Sequence, residues 1–400
     1  MNTFTATLKQ LVVPVSIAAL FTLFTACGGG SEASPTAGTQ AVSKAAVGEK
    51  IFFDTSLSEP AGMACATCHD PARAFTDSHA LAISMGVSEG VIPGQFGGRN
   101  TPTIAYHVLT PVFGFAEEGP YGGLFHDGRA ATLADQAGGP PTNPVEMHNP
   151  DMASYVDKVK NAAYADDFKR VWGNDVFDNV ADAYSKITAT VAEFEKTDTR
   201  FAPFSSKFDY WLKGRVQLSS DELDGFNLFN ARDKGNCAAC HPSIAPSSAT
   251  PPLFTDFTYD ALGVPRNTAI PANGDPNYFD LGLCGRADFN SPTLCGKFKV
   301  PTLRNVAVTA PYFHNGKFSN LRDVVKFYVT RDINPELWYP PDGSGNIVKF
   351  DDMPDQYKTN VNITEPPYDR RPGDLPALTD AEIDHVVAFL NTLTDGYILP

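Results

Sequence analysis

Two short segments of the chain place two cysteines and a histidine in the same order and spacing. They read CATCH at residues 65–69 and CAACH at residues 237–241. Thiols one helical turn apart can reach the two vinyl groups of one porphyrin, while the next histidine reaches the iron. Structural zinc is the alternative, and it requires ligands in addition to each cysteine pair. The spacing predicts two covalent haem c groups, held by Cys65, Cys68, His69, Cys237, Cys240 and His241.

The other three cysteines have different predicted roles. Cys284 and Cys295 flank a short loop, and in an exported protein a disulfide between them is the natural expectation. Two free thiols are the alternative. Cys27 belongs to the targeting segment at the N-terminus.

The first 27 residues have the pattern of a lipoprotein-type signal peptide. Lys9 precedes an apolar run at 11–24, which is too short for a comfortable membrane span, and small residues lead to Cys27. Residues 28–43 are rich in Gly, Ser, Ala and Thr and are predicted to be a flexible tether. We expect a periplasmic protein that is lipid-anchored to the outer membrane and touches the membrane only through Cys27. Ordinary secretion with cleavage nearby is the alternative.

The composition indicates a folded protein that does not bind nucleic acid. Hydrophobic residues make up 42% of the chain, charged residues 19%, and the formal net charge is −15. Nucleic-acid binding requires clustered Lys and Arg, so this charge excludes it as a function. The acidity would suit a basic protein partner, and the simpler alternative, which we favour, is that it only keeps the protein dispersed.

Helical spacing and capping patterns recur on both sides of the chain's centre. A helix is predicted from Ser43, and capping boxes are predicted at Ser219 with Glu222 and at Thr379 with Glu382. The apolar stripes are Tyr184, Ile187, Val191 and Phe194; Leu223, Phe226 and Phe229; and Ile383, Val386, Val387, Leu390 and Leu393.

Long stretches rich in Gly and Pro separate these helices, and strand patterns are few. The fold class predicted is therefore mainly α, with two cytochrome c-like haem domains and long loops. We place the N-terminal domain at residues 44–210 and the C-terminal domain at 211–400. No sequence repeat is evident beyond the two haem motifs.

Six segments resemble the bacterial dihaem cytochrome c peroxidase family, which includes MauG. They are CATCHDPARAFTD (65–77), GRNTPT (98–103), FHDGRAATLADQAGGPPTNPVEM (125–147), KGNCAACH (234–241), LGVPRN (262–267) and FKVPTLRNVAVTAPYFHNG (298–316). The resemblance runs from about residue 45 to 395. It implies a peroxidatic haem in the N-terminal domain and an electron-transfer haem in the C-terminal domain.

The resemblance also implies the residues that act on peroxide. Glu146 matches the family's acid/base carboxylate, Gln136 its distal glutamine, and Pro140 a proline packed over the same face of the haem. Without the motif around it, Glu146 would pass for a solvated surface acid. Val87 stands where activation-dependent members have a distal His, so we expect an iron position that is open or holds only water. Met85 and His79 have side chains that are able to bind iron, but a packing or surface role suits each of them better.

Other positions match the family or depart from it. Tyr328 lies fourteen residues after His314, where electron-transfer members have a Met ligand, and a Tyr there resembles MauG. The alternative is a core tyrosine, with Met353 or nothing as the ligand. His126 replaces the Trp that usually lies between the haems, and it could donate a proton or bind a propionate. Asn100, Thr309 and Pro311 match the ligands of the family's Ca²⁺.

The resemblance implies a peroxidase-type oxidoreductase that reduces hydrogen peroxide with electrons passed through the C-terminal haem. The donor would be a small redox protein, either cytochrome c or a cupredoxin, or a side chain of a protein substrate as in MauG. A non-enzymatic dihaem electron carrier is the rival from another class. Such a carrier would have no use for Gln136 and Glu146.

Overall fold

The computed structural model describes residues 42–117, 119–247, 250–289 and 291–400. The predicted signal peptide and nearly all of the tether lie outside these residues. The helices are α1 (Lys44–Phe52), α2 (Cys65–Cys68), α3 (Ala80–Met85), α4 (Leu133–Ala137), α5 (Met152–Lys160), α6 (Ala165–Trp172), α7 (Val180–Thr197), α8 (Lys207–Leu212), α9 (Ser220–Asn230), α10 (Leu321–Thr330) and α11 (Asp380–Asn391).

Strands are short and few in the described chain, as the sequence predicts. Strands β1 (Gly114–Ala116) and β2 (Gly119–Tyr121) form one antiparallel pair, and β3 (Tyr259–Asp260) and β4 (Phe298–Lys299) form another. Tyr259 pairs with Lys299 in the second sheet. Long loops and single 3₁₀ turns, including Pro140–Thr142 and Cys237–Ala239, connect the helices.

Helix α1 packs along α7 in the first half of the described chain. The Ser43 side chain accepts a hydrogen bond from the Ala46 backbone N–H at 3.1 Å, which confirms the predicted start of α1. Val47 and Ile51 are buried on the face towards α7. This face closes over the segment that carries the first cysteine pair.

Helices α9 and α11 form the corresponding pair in the second half. Both predicted capping boxes are present, at Ser219 and at Thr379. The predicted apolar stripe of α9 is wrong at Leu223, which is 41% exposed. Gly225 and Phe229 form the buried face instead, because the glycine lets the backbone of α11 approach closely.

The buried apolar side chains gather in two clusters. The first extends from Val47 to Leu253 in sequence and contacts Cys65 and Cys68. The second extends from Phe208 to Leu393 and contacts Cys237. Each cysteine motif therefore has its own core. Phe208 belongs to the second cluster although it precedes the predicted boundary at 210/211, and Leu253 belongs to the first although it follows that boundary. The division into two haem domains stays a prediction.

Two further findings concern the whole described chain. Cys284 and Cys295 form a disulfide with a Cα–Cα distance of 4.7 Å, which confirms the pairing predicted from the sequence. No helix among residues 42–117, 119–247, 250–289 and 291–400 is long and apolar enough to cross a membrane.

Replacing Gly225 by alanine tests the close packing of α9 on α11. An added Cβ would lie 1.9 Å from the His385 carbonyl oxygen and 2.9 Å from the Phe389 Cβ. We expect Gly225→Ala to lower the free energy of unfolding by about 1–3 kcal/mol. This crowding outweighs the gain of up to ~1 kcal/mol in helix propensity. Chemical denaturation measures the change.

Gly274→Ala is the control for this experiment, because nothing lies within 4 Å of a Cβ at that position. We expect its free energy of unfolding to stay close to that of the wild type. Equal stability of the two variants would contradict the packing described here.

Candidate active site

A single cavity of about 650 Å³ reaches both cysteine motifs. All six predicted attachment and ligand residues line it, and so do the predicted site residues on other elements: Asn100, His126, Gln136, Pro140, Glu146, Thr309, Pro311 and Tyr328. The fold therefore brings together residues that are more than 200 positions apart in sequence.

Each motif histidine has its Nδ1 within hydrogen-bond distance of a backbone carbonyl. His69 Nδ1 lies 3.0 Å from the Phe75 oxygen, and His241 Nδ1 lies 2.8 Å from the Phe254 oxygen. With its proton on Nδ1, each ring presents the unprotonated Nε2, the form that binds a metal. Burial lowers the pKa of His69 and brings that of His241 to about 4, so both rings are neutral near pH 7.

The two histidine supports are built in the same way, a repeat that the sequence analysis missed. Phe75 and Phe254 both have a positive φ, 59° and 53°, which turns each carbonyl towards its histidine. The Thr103 hydroxyl donates to the Ala74 carbonyl, and the Thr302 hydroxyl donates to the Leu253 carbonyl at 2.6 Å. Pro-Thr at 102–103 and 301–302 is the signal in the sequence that could have revealed it.

The thiols fit haem attachment better than the alternative chemistries. Burial raises the pKa of all four motif cysteines to about 12, which is unlike a reactive dithiol. None of the four is in a disulfide. No three His, Cys, Asp or Glu side chains of the described residues converge as metal ligands, so the zinc alternative lacks its further ligands.

Lys299 adds an independent sign that an anionic group belongs in the cavity. Its side chain lines the cavity, and its ammonium makes no hydrogen bond or ion pair with any described residue. Burial alone lowers its pKa to about 8. An unpaired charge is costly to bury, and the carboxylates of haem propionates would supply the missing partner. Nothing in the sequence around Lys299 signals this role.

On the N-terminal side, the fold presents a carboxyl group to the cavity. The Asn143 amide donates to Glu146 Oε1 at 2.8 Å, which fixes the direction of the carboxyl. Burial raises the pKa of Glu146 above its usual range, while Arg129 and Asn143 act in the opposite direction. Gln136, on α4, and Pro140, which begins a 3₁₀ turn, line the same space.

Residues at the family's distal-histidine position are kept away from the cavity. Val87 is fully buried and lies outside the cavity lining. Met85 is absent from the lining as well, and His79 is exposed, with its Nδ1 2.7 Å from Asp77. The structure therefore gives none of the three a place from which to bind iron.

Tyr328 faces the C-terminal motif from α10. Its ring lies 5.8 Å from Phe313 and 6.0 Å from Tyr368, measured between centroids. The hydroxyl has no hydrogen-bond partner among the described residues, and burial raises its pKa above the ordinary value. Tyr368 and Met353 also line the cavity, so the geometry leaves three candidate ligands on this side.

His126 lies in the cavity wall with one nitrogen occupied. Its Nε2 is 2.9 Å from the Asn100 carbonyl oxygen. Burial and the nearby positive charge of Arg99 lower its pKa to about 3, so the ring is neutral. A neutral imidazole already bonded to the backbone is a weak candidate for a propionate counter-ion.

Two of the three predicted calcium ligands are in contact. The Asn100 amide nitrogen donates to the Pro311 carbonyl at 2.7 Å, and Thr309 lines the same cavity. An Asn side chain presents oxygen instead of nitrogen after a half-turn of the amide, so the pair fits a cation once that turn is made. The calcium site stays a prediction.

The sequence analysis also missed a buried acid and base beside the first motif. His107 Nε2 lies 3.5 Å from Glu195 Oε2, and neither atom has a hydrogen-bond partner among the described residues. Burial lowers the pKa of His107 to about 3 and raises that of Glu195 to about 8. Both side chains are therefore uncharged near neutral pH. No local pattern marks this pair, because its members are 88 residues apart.

Comparison with known proteins agrees with this geometry. The family model described as di-haem cytochrome c peroxidase matches residues 42–217. The chain is 38% identical over 362 residues to the methylamine utilization protein MauG of Paracoccus denitrificans, covering 88% of each. The chain belongs to the di-haem cytochrome c peroxidase family. Its members include peroxidases and MauG, which are oxidoreductases, so this protein is an enzyme of that class.

Two further similarities span most of this di-haem family member. It is 33% identical over 312 residues to cytochrome c551 peroxidase of Nitrosomonas europaea, covering 76% of this chain and 78% of the relative. The diheme peroxidase BthA from Burkholderia thailandensis has a TM-score of 0.83 and 42% identity, covering 88% and 86%. Both peroxidases and MauG thus occur among the similar proteins, and membership implies two haem c cofactors.

Replacing Lys299 by methionine tests its role as a counter-charge for a bound haem. Reduction makes a haem more negative, so a nearby buried cation favours it. We expect Lys299→Met to lower the midpoint potential of at least one haem by on the order of tens of millivolts. Spectroelectrochemical titration of the dihaem protein measures this.

Lys297→Met is the matched control, since Lys297 lies two residues away and does not line the cavity. We expect its midpoint potentials to match those of the wild type. Unchanged potentials in Lys299→Met would show that its ammonium does not face a haem.

Proposed function

We propose that this enzyme reduces hydrogen peroxide at the N-terminal haem, using electrons that enter through the C-terminal haem. One observation carries the proposal. A partly buried carboxyl, Glu146, faces the cavity beside the first motif, is oriented by Asn143, and has a raised pKa. An acid/base group for peroxide must lie in such a place and titrate nearer to neutral pH than a surface carboxyl.

Different groups of the protein have different roles at the peroxide site. Cys65, Cys68 and His69 would hold the N-terminal haem, which would supply the iron and the oxidation–reduction chemistry for peroxide. Glu146 takes the proton from the inner peroxide oxygen and returns it to the outer one, which leaves as water. The Gln136 amide would donate a hydrogen bond to peroxide in this part of the cavity, and Pro140 would cover the same side.

We propose that Tyr328 and His241 hold the C-terminal iron. A buried phenolate oxygen stabilises ferric iron, whereas a Met thioether would favour the ferrous state. Tyr328 lines the cavity with the second motif, and its hydroxyl has no hydrogen-bond partner among the described residues, which supports this choice.

The proposal extends to partners and place of action. The donor is a small redox protein, cytochrome c or a cupredoxin, and a basic one would be attracted by the net charge of −15. We further propose one Ca²⁺ at Asn100, Thr309 and Pro311, and a periplasmic enzyme anchored to the outer membrane through Cys27. The division into haem domains at 44–210 and 211–400 belongs to the same proposal.

MauG-like oxidation of a side chain on a partner protein is the second candidate. The proposed Tyr328 ligand favours it, as does the 38% identity to MauG of Paracoccus denitrificans. Peroxide turnover with reduced cytochrome c separates the two. Fast turnover supports the peroxidase, and its absence supports the modifying enzyme.

Replacing Glu146 by glutamine tests the acid/base role. We expect kcat/KM for hydrogen peroxide to fall by about a hundredfold or more, because the amide cannot take the peroxide proton. In the wild type, the rate should decline as pH falls through the raised pKa of Glu146, since the protonated carboxyl cannot accept. Stopped-flow reaction with peroxide across pH measures both effects.

Glu193→Gln is the control for Glu146→Gln, because Glu193 lies on α7 outside the cavity lining. It should leave both the rate and the pH profile as they are. A pH profile in Glu146→Gln that matches the wild type would rule out this carboxyl as the proton acceptor.

Exchanges at Tyr328 test the C-terminal ligand. The oxidised wild type should show one high-spin and one low-spin ferric haem by low-temperature electron paramagnetic resonance. Tyr328→Met should raise the C-terminal midpoint potential by on the order of 100 mV. Tyr368→Phe, a change at the neighbouring ring, should leave that potential unchanged.

Two results would overturn parts of this assignment. Two low-spin haems in the wild type would mean that both irons have two ligands, and electron transfer without peroxide chemistry would then be favoured. A shifted potential in Tyr368→Phe, with none in Tyr328→Met, would make Tyr368 the ligand.

A further inference from the structure

A second cavity opens beside Glu146 and belongs to no attachment motif. Its volume is about 380 Å³, and its lining is Phe125, Arg129, Ala130, Asp135, Gly139, Pro140, Thr142, Asn143 and Glu146. Five of these, Phe125, Arg129, Pro140, Asn143 and Glu146, also line the large cavity. The two cavities therefore meet at the carboxyl that we assign to proton transfer.

We call this second cavity the entrance. One of its walls is a cation stacked on an aromatic ring. The Arg129 guanidinium lies 3.6 Å from the centroid of the Phe125 ring. The Asp127 carboxylate accepts from Arg129 Nη1 at 2.9 and 3.0 Å. The Arg129 side chain is 45% exposed, so this wall extends from solvent to the interior.

The opposite wall is a rigid turn. Residues Pro140–Thr142 form a 3₁₀ turn, and Asn143 follows it and donates to Glu146. The Asn143 backbone N–H donates to the Pro140 carbonyl at 3.2 Å. Both walls are thus held by hydrogen bonds within their own segments.

All six attachment and ligand residues line the large cavity, so we take its space beside the two motifs as the space for the two porphyrins. A peroxide must reach the face of the N-terminal haem that Glu146 serves without passing through a porphyrin. The entrance leads from exposed Arg129 to Glu146 along such a path.

We propose that the entrance is the route by which peroxide reaches Glu146, and that the stacked Arg129 and Phe125 limit it to hydrogen peroxide and small hydroperoxides. This rests on the proposed function, because it takes the haem beside Glu146 as the peroxide-binding one. Arg129 is a positioning residue here, since it shapes the path and does not touch the reacting oxygens.

Filling the entrance is the direct test. Gly139 has φ −79° and ψ −59°, so any side chain is allowed there. A Cβ would lie 3.5 Å from Phe125 Cζ, an ordinary contact, so Gly139→Phe places its ring beside that wall. Cyanide, a small ligand of ferric haem that undergoes no O–O bond cleavage, is the probe for access. We expect its association rate constant to fall by about tenfold or more.

The same variant should lose about tenfold in its second-order rate constant with hydrogen peroxide. Its absorption spectrum and midpoint potentials should stay those of the wild type, which separates a blocked path from a damaged haem site. Gly274→Phe is the matched control, because position 274 is exposed and open. Its rates should equal those of the wild type.

The second test widens the entrance, so it does not require the protein to accept a bulky ring at position 139. Arg129→Ala should raise the rate constant for cumene hydroperoxide relative to that for hydrogen peroxide by about fivefold or more. The ratio is used because losing the charge beside Glu146 affects both peroxides. Arg322→Ala removes another ion-paired arginine, on α10, and should leave the ratio unchanged.

The outcomes distinguish a failure of the entrance proposal from a failure of the proposed function. Slow cyanide binding in Gly139→Phe, with no peroxide reaction in the wild type, would retain the entrance and reject the peroxidase. Wild-type cyanide and peroxide rates in Gly139→Phe, with an unchanged ratio in Arg129→Ala, would reject the entrance alone. A wild type that does not bind cyanide would reject both.

Discussion

The hydrogen bond from each motif histidine to one backbone carbonyl is the constraint on which the structure depends. An imidazole binds iron only if its ring is neutral and its free nitrogen points the right way, and one Nδ1 contact sets both conditions. Phe75 and Phe254 must adopt left-handed backbone conformations to offer those carbonyls. Such conformations are unfavourable for large side chains, so packing has to hold them. Phe75 stacks on Phe201 at 4.3 Å between centroids, and Phe254 packs edge-on against Phe208 at 5.3 Å.

The two helix pairs follow from that requirement. Gly48 on α1 and Gly225 on α9 let each helix touch the backbone of its partner, so the aromatic rings behind the histidines close without gaps. The two halves support their histidines in the same way, and they differ in the other side chains that they present to the cavity. The first presents Glu146, a carboxyl that can exchange protons. The second presents Tyr328 among other rings, and Asp260 and Glu365 line the cavity there as well. Our proposal that peroxide chemistry belongs to the N-terminal haem rests on Glu146 and its contact with Asn143.

The sequence predicted what short-range patterns encode. The haem motifs, the N-cap at Ser43, both capping boxes and the Cys284–Cys295 disulfide depend on residues close together in the chain. Leu223 was misplaced because helical period alone cannot tell which of two partly apolar faces a partner will cover, and Gly225 decided that. Lys299, the His107–Glu195 pair and the repeated threonine supports depend on contacts between distant segments. Glu146 was found only through a resemblance, since a lone Glu in a Pro-rich loop carries no sign of burial.

Asp127 links the entrance to the space between the two motifs. Although burial opposes it, Arg99 and Arg129 hold the pKa of Asp127 below its usual range, so it stays an anion inside the protein. Arg99 donates to one of its oxygens at 2.6 Å and also binds Asp280 through two nitrogens. Burial and the same Arg99 lower the pKa of His126, the residue that replaces the usual Trp. A change in charge between the haems would thus act on Asp127 and, through it, on the arginine that forms the entrance wall. If the entrance carries peroxide as we propose, Asp127 would couple that access to the charges around Arg99 and His126.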